Sequence, residues 1–264
     1  MMPMLRILGL TVPVAPTFIL LAFIVGSDLG ARALGRAAPD DKNALWNGWF
    51  SSATFWAAFI GLMVARLGYA ALNLPLYRES PYLLFSIRPG AFAPLPGVLA
   101  GLGLLVWYLR RRNVPWPYIG DALAISATAG WVVLSLRDFL TGEAYGLPTS
   151  LPWGIELWKA VRHPVQLYEM TLALVVLALL WFYQRKLSPG LTFWRFIALF
   201  GLSKLLVEAF RADSLTFGPG YRIAQVEALA TLLIGFMVLS FYAGVQSNTS
   251  KQTDPTQNTG DPNA

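Results

Sequence analysis

The chain has 264 residues, 56% of them hydrophobic and 13% charged, with a net charge of +6 and no cysteine. Soluble domains carry roughly 25% charged residues, so this composition excludes an ordinary soluble globular protein and points to an integral membrane protein. Lack of cysteine excludes disulfides, thiolate metal sites and a cysteine nucleophile, and basic residues set beside apolar runs fit anionic lipid rather than nucleic acid.

The apolar runs predict an all-α, polytopic membrane fold with about seven transmembrane helices of about 20 residues each, near 14–34, 47–72, 93–111, 119–140, 164–184, 191–210 and 222–245. The first run is interrupted by Pro13 and Pro16 and no A-x-A-like site follows it, so it reads as a retained span rather than a cleaved signal. Arg32 at the end of the first span reads as snorkelling, whereas Arg66, inside the second, calls for a buried partner. Lys/Arg clusters alternate between loops: Arg32, Arg36 and Lys42, then Arg110, Arg111 and Arg112, then Arg185 and Lys186. That alternation predicts a cytoplasmic face there, with the N-terminus outside and the C-terminus inside. Residues 1–245 form one transmembrane domain on this reading, with an outward arm at about 141–163. The polar tail 246–264 is expected to be disordered in the cytoplasm.

The outward loops are the unusual ones. Residues 73–92 carry Pro75, Pro81 and Pro89. Residues 141–163 are rich in Gly, Pro and aromatics, and connections of that length are usually functional or disordered. Trp153 and Trp158 suit a membrane surface, where a ring is half wet. The arm leads into Arg162-His163-Pro164-Val165-Gln166-Leu167-Tyr168-Glu169, the densest polar run beside an apolar segment, which holds the sole histidine. Two readings are open. Pro164, Gln166 and Glu169 are good first-turn residues of a helix, or the run is the mouth of an active site.

From Arg162 the sequence resembles the bacterial prolipoprotein diacylglyceryl transferase family, in which Arg-His-Pro-x-Gln-Leu-Tyr-Glu opens a transmembrane helix. Three other stretches are similar and in the same order: Arg66-Leu67-Gly68-Tyr69; Gly142-Glu143-Ala144-Tyr145-Gly146-Leu147-Pro148-Thr149 with Pro152-Trp153-Gly154; and Gly201 through Glu208-Ala209-Phe210-Arg211 with Gln225 beyond. The resemblance implies a multi-pass enzyme of the bacterial inner membrane. Such an enzyme moves the diacylglyceryl group of phosphatidylglycerol onto the thiol of a lipobox cysteine in a preprolipoprotein, without metal or cofactor. It implies a base for a thiol of pKa about 8.5 and cationic groups for the phosphodiester. On that resemblance, with a rearranged site, the candidates are His163, Glu143 and Lys204 for chemistry. Arg137, Arg211, Arg66 and Arg162 are the candidates for lipid phosphate. Gly146, Gln166, Tyr168, Glu169, Glu208 and Gln225 are expected to shape the site. Arg66 with Glu143 or Glu169, and Arg211 with Glu208, are the candidate ion pairs.

Several family positions are replaced. Leu95-Pro96-Gly97 stands at the family's His-Gly-Gly, Ser135 at an arginine, Asp138 and Thr141 at two asparagines, and Lys204 at a second arginine. Ala15-Pro16-Thr17 stands at its Trp-Tyr-Gly. Arg137 lies two residues beyond Ser135, about 200° further round a helix of 3.6 residues per turn. Two readings therefore stand beside each other: an active transferase with a rearranged site acting on phosphatidylglycerol, or a non-catalytic member. The latter would bind phosphatidylglycerol or another anionic phospholipid, or serve as an accessory subunit of a membrane protein complex. A small transporter is a weaker third, because no inverted repeat is visible and few acidic residues lie within spans.

Overall fold

The computed structural model describes residues 4–7, 10–85, 90–218 and 220–252. The architecture is all-α. The helices are α1 (Val14–Ala37), α2 (Asn43–Leu72), α3 (Leu74–Glu79), α4 (Pro94–Arg111), α5 (Trp116–Thr141), α6 (Val165–Tyr183), α7 (Leu191–Glu208) and α8 (Ile223–Gln252). Small antiparallel hairpins decorate the connections: β1 (Met4–Ile7) with β2 (Leu10–Pro13), β3 (Ile155–Leu157) with β4 (Ala160–Arg162), and β5 (Thr216–Phe217) with β6 (Tyr221–Arg222).

Each predicted span coincides with one long helix, but the expected count of about seven is corrected. Among the described residues five helices are long and apolar enough to cross a membrane by themselves: α1, α2, α5, α6 and α8. The other two, α4 and α7, have 18 residues each. At 1.5 Å per residue that is roughly 27 Å, just short of a hydrocarbon core of about 30 Å. In addition, α4 ends in Arg110 and Arg111, and α7 carries Arg195, Lys204 and Glu208. The expected boundary between membrane domain and tail at 245/246 falls within α8, which continues to Gln252. Residues 253–264, and the expectation made for them, lie outside the described residues.

Helix boundaries follow local chemistry. Prolines occupy the first turns of α4 and α5, where a missing N–H costs nothing. Helix α5 stops at Gly142, whose φ of +73° only glycine adopts freely and whose N–H returns to the Asp138 carbonyl. The helices then pack in adjacent pairs, α1 on α5, α2 on α4 and α7 on α8. Lipid gives apolar surfaces no reason to associate, so close packing must do it. A Cβ on Gly97 would sit 2.7 Å from the Gly61 carbonyl oxygen, and one on Gly201 would sit 2.6 Å from the Leu232 nitrogen. The α2–α4 and α7–α8 contacts are thus backbone against backbone.

The connections α1–α2, α4–α5 and α6–α7 gather at one end of the bundle, the basic end, with Arg32, Arg36, Lys42, Arg110–Arg112, Arg185 and Lys186. There Leu34, Phe50, Leu109 and Ile119 form the largest buried apolar cluster. The opposite end carries the 142–164 connection and is called the arm end below. At the basic end the start of α7 has no cap of its own. Instead, Asp121 from α5 accepts hydrogen bonds from the backbone N–H of Gly190 and of Phe193, both at 2.8 Å. A carboxylate at a helix N-terminus satisfies otherwise orphaned donors and opposes the positive dipole end. Asp121→Ala is expected to cost about 1–2 kcal/mol, read as a lowered thermal midpoint in detergent. Asp121→Asn should recover part of the loss; an unchanged midpoint for the alanine variant would remove this bond pair from the account.

Candidate functional site at the head of α6

The arm folds back onto the C-terminal end of α7. The Leu147 N–H donates to the Phe210 carbonyl and the Ala212 N–H to the Tyr145 carbonyl, so Gly146 and Arg211 form a bridge. Gly146 is required here, because a Cβ would sit 2.3 Å from the His163 carbonyl oxygen. The guanidinium of Arg162 closes the β3–β4 hairpin, donating to the carbonyls of Leu157 (3.1 Å) and Gly146 (3.2 Å) with its centre 5.0 Å from the Tyr145 ring. Pro164 immediately precedes α6, and the N–H groups of Leu167 and Tyr168 bond its carbonyl. Gln166 is fully buried and donates to the Glu143 carbonyl at 2.7 Å, joining α6 to the arm.

His163 is enclosed by aromatic rings. Its Nδ1 is 3.3 Å from the Tyr168 hydroxyl, which also accepts from Trp153 Nε1 at 2.9 Å, and its ring centroid is 5.0 Å from that of Phe210.

Below it lies an ionic network. Glu169 is buried, and its Oε1 accepts from Lys204 Nζ at 2.9 Å and from an Arg211 Nη at 3.2 Å. Arg211 Nε also bonds Asp213 at 3.1 Å and lies 3.7 Å from Glu208. Burial by itself would lower the Arg211 pKa. The bonded Asp213, with Glu169 and Glu208, outweighs that and holds it above the ordinary arginine value, so this guanidinium stays charged. Glu208 accepts from the Ser214 hydroxyl, and its backbone carbonyl accepts from Arg222. Across the cluster, Arg137 Nε bonds Asp138 at 2.8 Å, and an Arg137 Nη lies 3.3 Å from Glu143. Five carboxylates (Asp138, Glu143, Glu169, Glu208, Asp213) thus face three directly paired cations (Arg137, Lys204, Arg211).

Two cavities meet at this network. A polar one of about 440 Å³ is lined by Arg137, Asp138, Glu143, Trp158, Arg211 and Asp213, among others. An apolar one of about 680 Å³ lies between α1, α2, α4, α5 and α7, and among the described residues Lys204 is its only ionisable lining residue. The Lys204 ammonium sits 5.6 Å from the centroid of Trp131 and 5.9 Å from that of Phe200. Lys204 lines the apolar cavity and Arg211 the polar one, and both bond the same oxygen of Glu169. His163 lines neither cavity.

Not every predicted site residue gathers here. The expected pairing of Arg66 with Glu143 or Glu169 is not formed; among the described residues Arg66 has no carboxylate partner. Its buried guanidinium donates instead to the backbone carbonyls of Leu84 (3.0 Å), Ala91 (2.6 Å) and Leu83, between the rings of Tyr77 and Phe92. The physical reason is local: these carbonyls need donors, and a planar five-donor fork satisfies three at once. The Arg211–Glu208 pair is present, although Asp213 and Glu169 hold Arg211 more closely. Gln225 is half-exposed and makes no side-chain hydrogen bond among the described residues. Leu95 is 69% exposed on the outer face of α4, and Ser135 is buried with its hydroxyl unpartnered. Sequence reasoning singled out neither Asp213 nor the capping role of Asp121. The only signal for Asp213 is its spacing of two residues from Arg211.

Apolar helices that carry an ionic cluster at one end, above an apolar cavity, define a multi-pass membrane protein built to meet lipid. The chain belongs to the prolipoprotein diacylglyceryl transferase family, whose model matches residues 4–241. It is 34% identical over 229 residues to the phosphatidylglycerol–prolipoprotein diacylglyceryl transferase of Geobacter sulfurreducens, an overlap of 83% of this chain and 84% of that relative. The transferase of the same name from Clostridioides difficile is 29% identical over 179 residues (67% of this chain, 72% of the relative). That of Synechococcus elongatus is 26% identical over 242 residues (85% and 81%).

Proposed function

We propose that this protein transfers the diacylglyceryl group of phosphatidylglycerol to a lipobox cysteine thiol at the outer surface of the bacterial inner membrane. On this reading the N-terminus and the arm end are outside, the basic end is cytoplasmic, and the exposed Trp153 and Trp158 rings rest on the outer membrane surface. The observation that carries the reading is the position of Lys204. Among the described residues it is the one charge on the apolar cavity, and it is tied through Glu169 to Arg211 on the polar cavity. Acyl chains would fill the first space, and the phosphodiester would lie against Lys204 and Arg211.

The chemistry then needs a deprotonated thiol. Glu143 is the candidate acceptor, since it lines the polar cavity, its side chain is 61% exposed, and its one cationic contact is a long 3.3 Å. The sulfur attacks the glyceryl carbon that bears the phosphate oxygen. A C–S bond forms, the C–O bond breaks, and glycerol phosphate leaves with the bonding pair, while the thiol proton passes to Glu143. His163, spent on Tyr168 and Phe210, is a structural residue of the arm on this reading.

A second reading rests on a different observation. An excess of carboxylates over cations does not favour a bound phosphodiester, and a chain can keep a satisfied polar network for its fold alone. Such a protein would bind lipid, or join a membrane assembly, without transfer. Membranes in which this chain is the only homologue distinguish the two. With a lipobox peptide and phosphatidylglycerol, the transferase reading expects a thioether product that is lost in Lys204→Met and Glu143→Gln but retained in His163→Ala. No product, with phospholipid still co-purifying, would leave the binding reading. Loss of both would end both.

A further inference from the structure

At the basic end, remote from the ionic cluster, α6 and α7 enclose a groove of about 170 Å³ lined by Leu179, Leu180, Tyr183, Leu187, Arg195 and Leu199. Arg195 is half-buried, one turn into α7, and makes no hydrogen bond, ion pair or ring contact among the described residues. That distinguishes it from Arg36, Arg110, Arg111 and Arg112 at the same end, each of which lies over an aromatic ring. A half-buried cation on an apolar helix ordinarily faces a partner, and Arg195 has none among the described residues. The groove mouth is basic as well: Lys186 lies 5.7 Å from the ring centroid of Tyr183, and Arg185 adjoins it. Four leucines therefore offer a slot for an acyl chain, and a planar guanidinium beside further cations offers a seat for a phosphodiester. Basic pockets between transmembrane helices on the cytoplasmic side take anionic headgroups in this way.

We propose that this groove is a second lipid site, holding one anionic phospholipid of the inner leaflet with its phosphate on Arg195 and one acyl chain between α6 and α7. It is separate from the transfer site, since no lining residue is shared. Only the leaflet assignment rests on the orientation proposed above. Bound there, the lipid would stabilise the α6–α7 pair, and thereby the relative placement of Glu169 on α6 and Lys204 on α7.

The test uses the full chain in nanodiscs of phosphatidylcholine containing a minor fraction of phosphatidylglycerol, with retained lipid counted by native mass spectrometry. Both leaflets then have the same composition, so orientation does not enter. Transfer is not measured, so failure of the thioether assay leaves this result readable. The wild-type chain is expected to keep one more anionic lipid than Arg195→Gln. Losing one charge-assisted contact should weaken retention about tenfold, with Arg195→Lys intermediate. Because Arg195 has no partner to lose among the described residues, the glutamine variant should fold normally. Leu199→Trp, which fills the slot and leaves the charge, should also lose that lipid. Equal anionic lipid counts in wild type and both variants, or equal displacement by phosphatidylcholine, would overturn the site. So would protection of the site by inorganic phosphate alone.

Discussion

Replacing Glu169 with alanine is expected to lower stability by about 3 kcal/mol, the low end of the cost of breaking a buried ion pair, and to abolish lipid retention at the arm end. Glu169 is 5% exposed in its side chain, and one of its oxygens holds both Lys204 and Arg211. Without it Lys204 faces an apolar cavity with no anion, at 28% side-chain exposure. Arg211 keeps Asp213 and Glu208, which is why the lower figure applies. Pairing Glu169→Met with Lys204→Met removes both members of the pair and should regain more than half of the loss, because an apolar pair of similar volume is often as stable as a buried ionic one. Thermal midpoints of the singles and the double in one detergent measure this. A strictly additive double variant would mean that Lys204 and Glu169 are not coupled.

Arg66→Ala should cost about 3–5 kcal/mol, since three backbone carbonyls of the 83–91 segment lose a charged donor and each orphaned group costs about 1–3 kcal/mol where water cannot reach it. Arg66→Lys is not conservative at such a site. A single ammonium cannot span three acceptors held by a fork, so it should recover only about one contact. Because the guanidinium ties the loop between α3 and α4 to α2, the loss should appear first as faster proteolysis between Leu74 and Ala93, ahead of any loss of helix content. Global unfolding without a preceding loop cut would instead make Arg66 a core residue of α2.

What could be read from the chain alone, and what could not, divides along a physical line. The helices were legible because they are long and apolar, and the head of α6 because polar residues crowd beside such a run. The Glu208–Arg211 contact was legible because the two residues are only three apart, across the turn that ends α7. Partners distant in the chain were not. Glu169 and Lys204 are 35 residues apart, and Asp121 caps a helix start 69 residues on. Arg66 was misassigned for another reason. Its acceptors are backbone carbonyls, which every residue has and no sequence pattern marks, so a search for carboxylates could only propose the wrong ones. The membrane-span count was overestimated at α4 and α7, where Arg110, Arg111, Arg195, Lys204 and Glu208 dilute otherwise apolar segments.

The Asp121 cap and the arm junction also constrain the order in which the chain is assembled. Helix α5 precedes α7 in the chain, so the Asp121 carboxylate gains its hydrogen bonds from the Gly190 and Phe193 N–H groups only once the start of α7 is in place. The arm waits longer: Gly146 and Leu147 cannot engage Phe210 and Arg211 until all of α7 has been made. Docking of α7 thus completes contacts at both ends of the bundle: the Asp121 cap at the basic end and the arm junction at the other. A defect in the docking of α7, among the shortest and most charged of the long helices, would therefore be felt at both ends of the bundle at once.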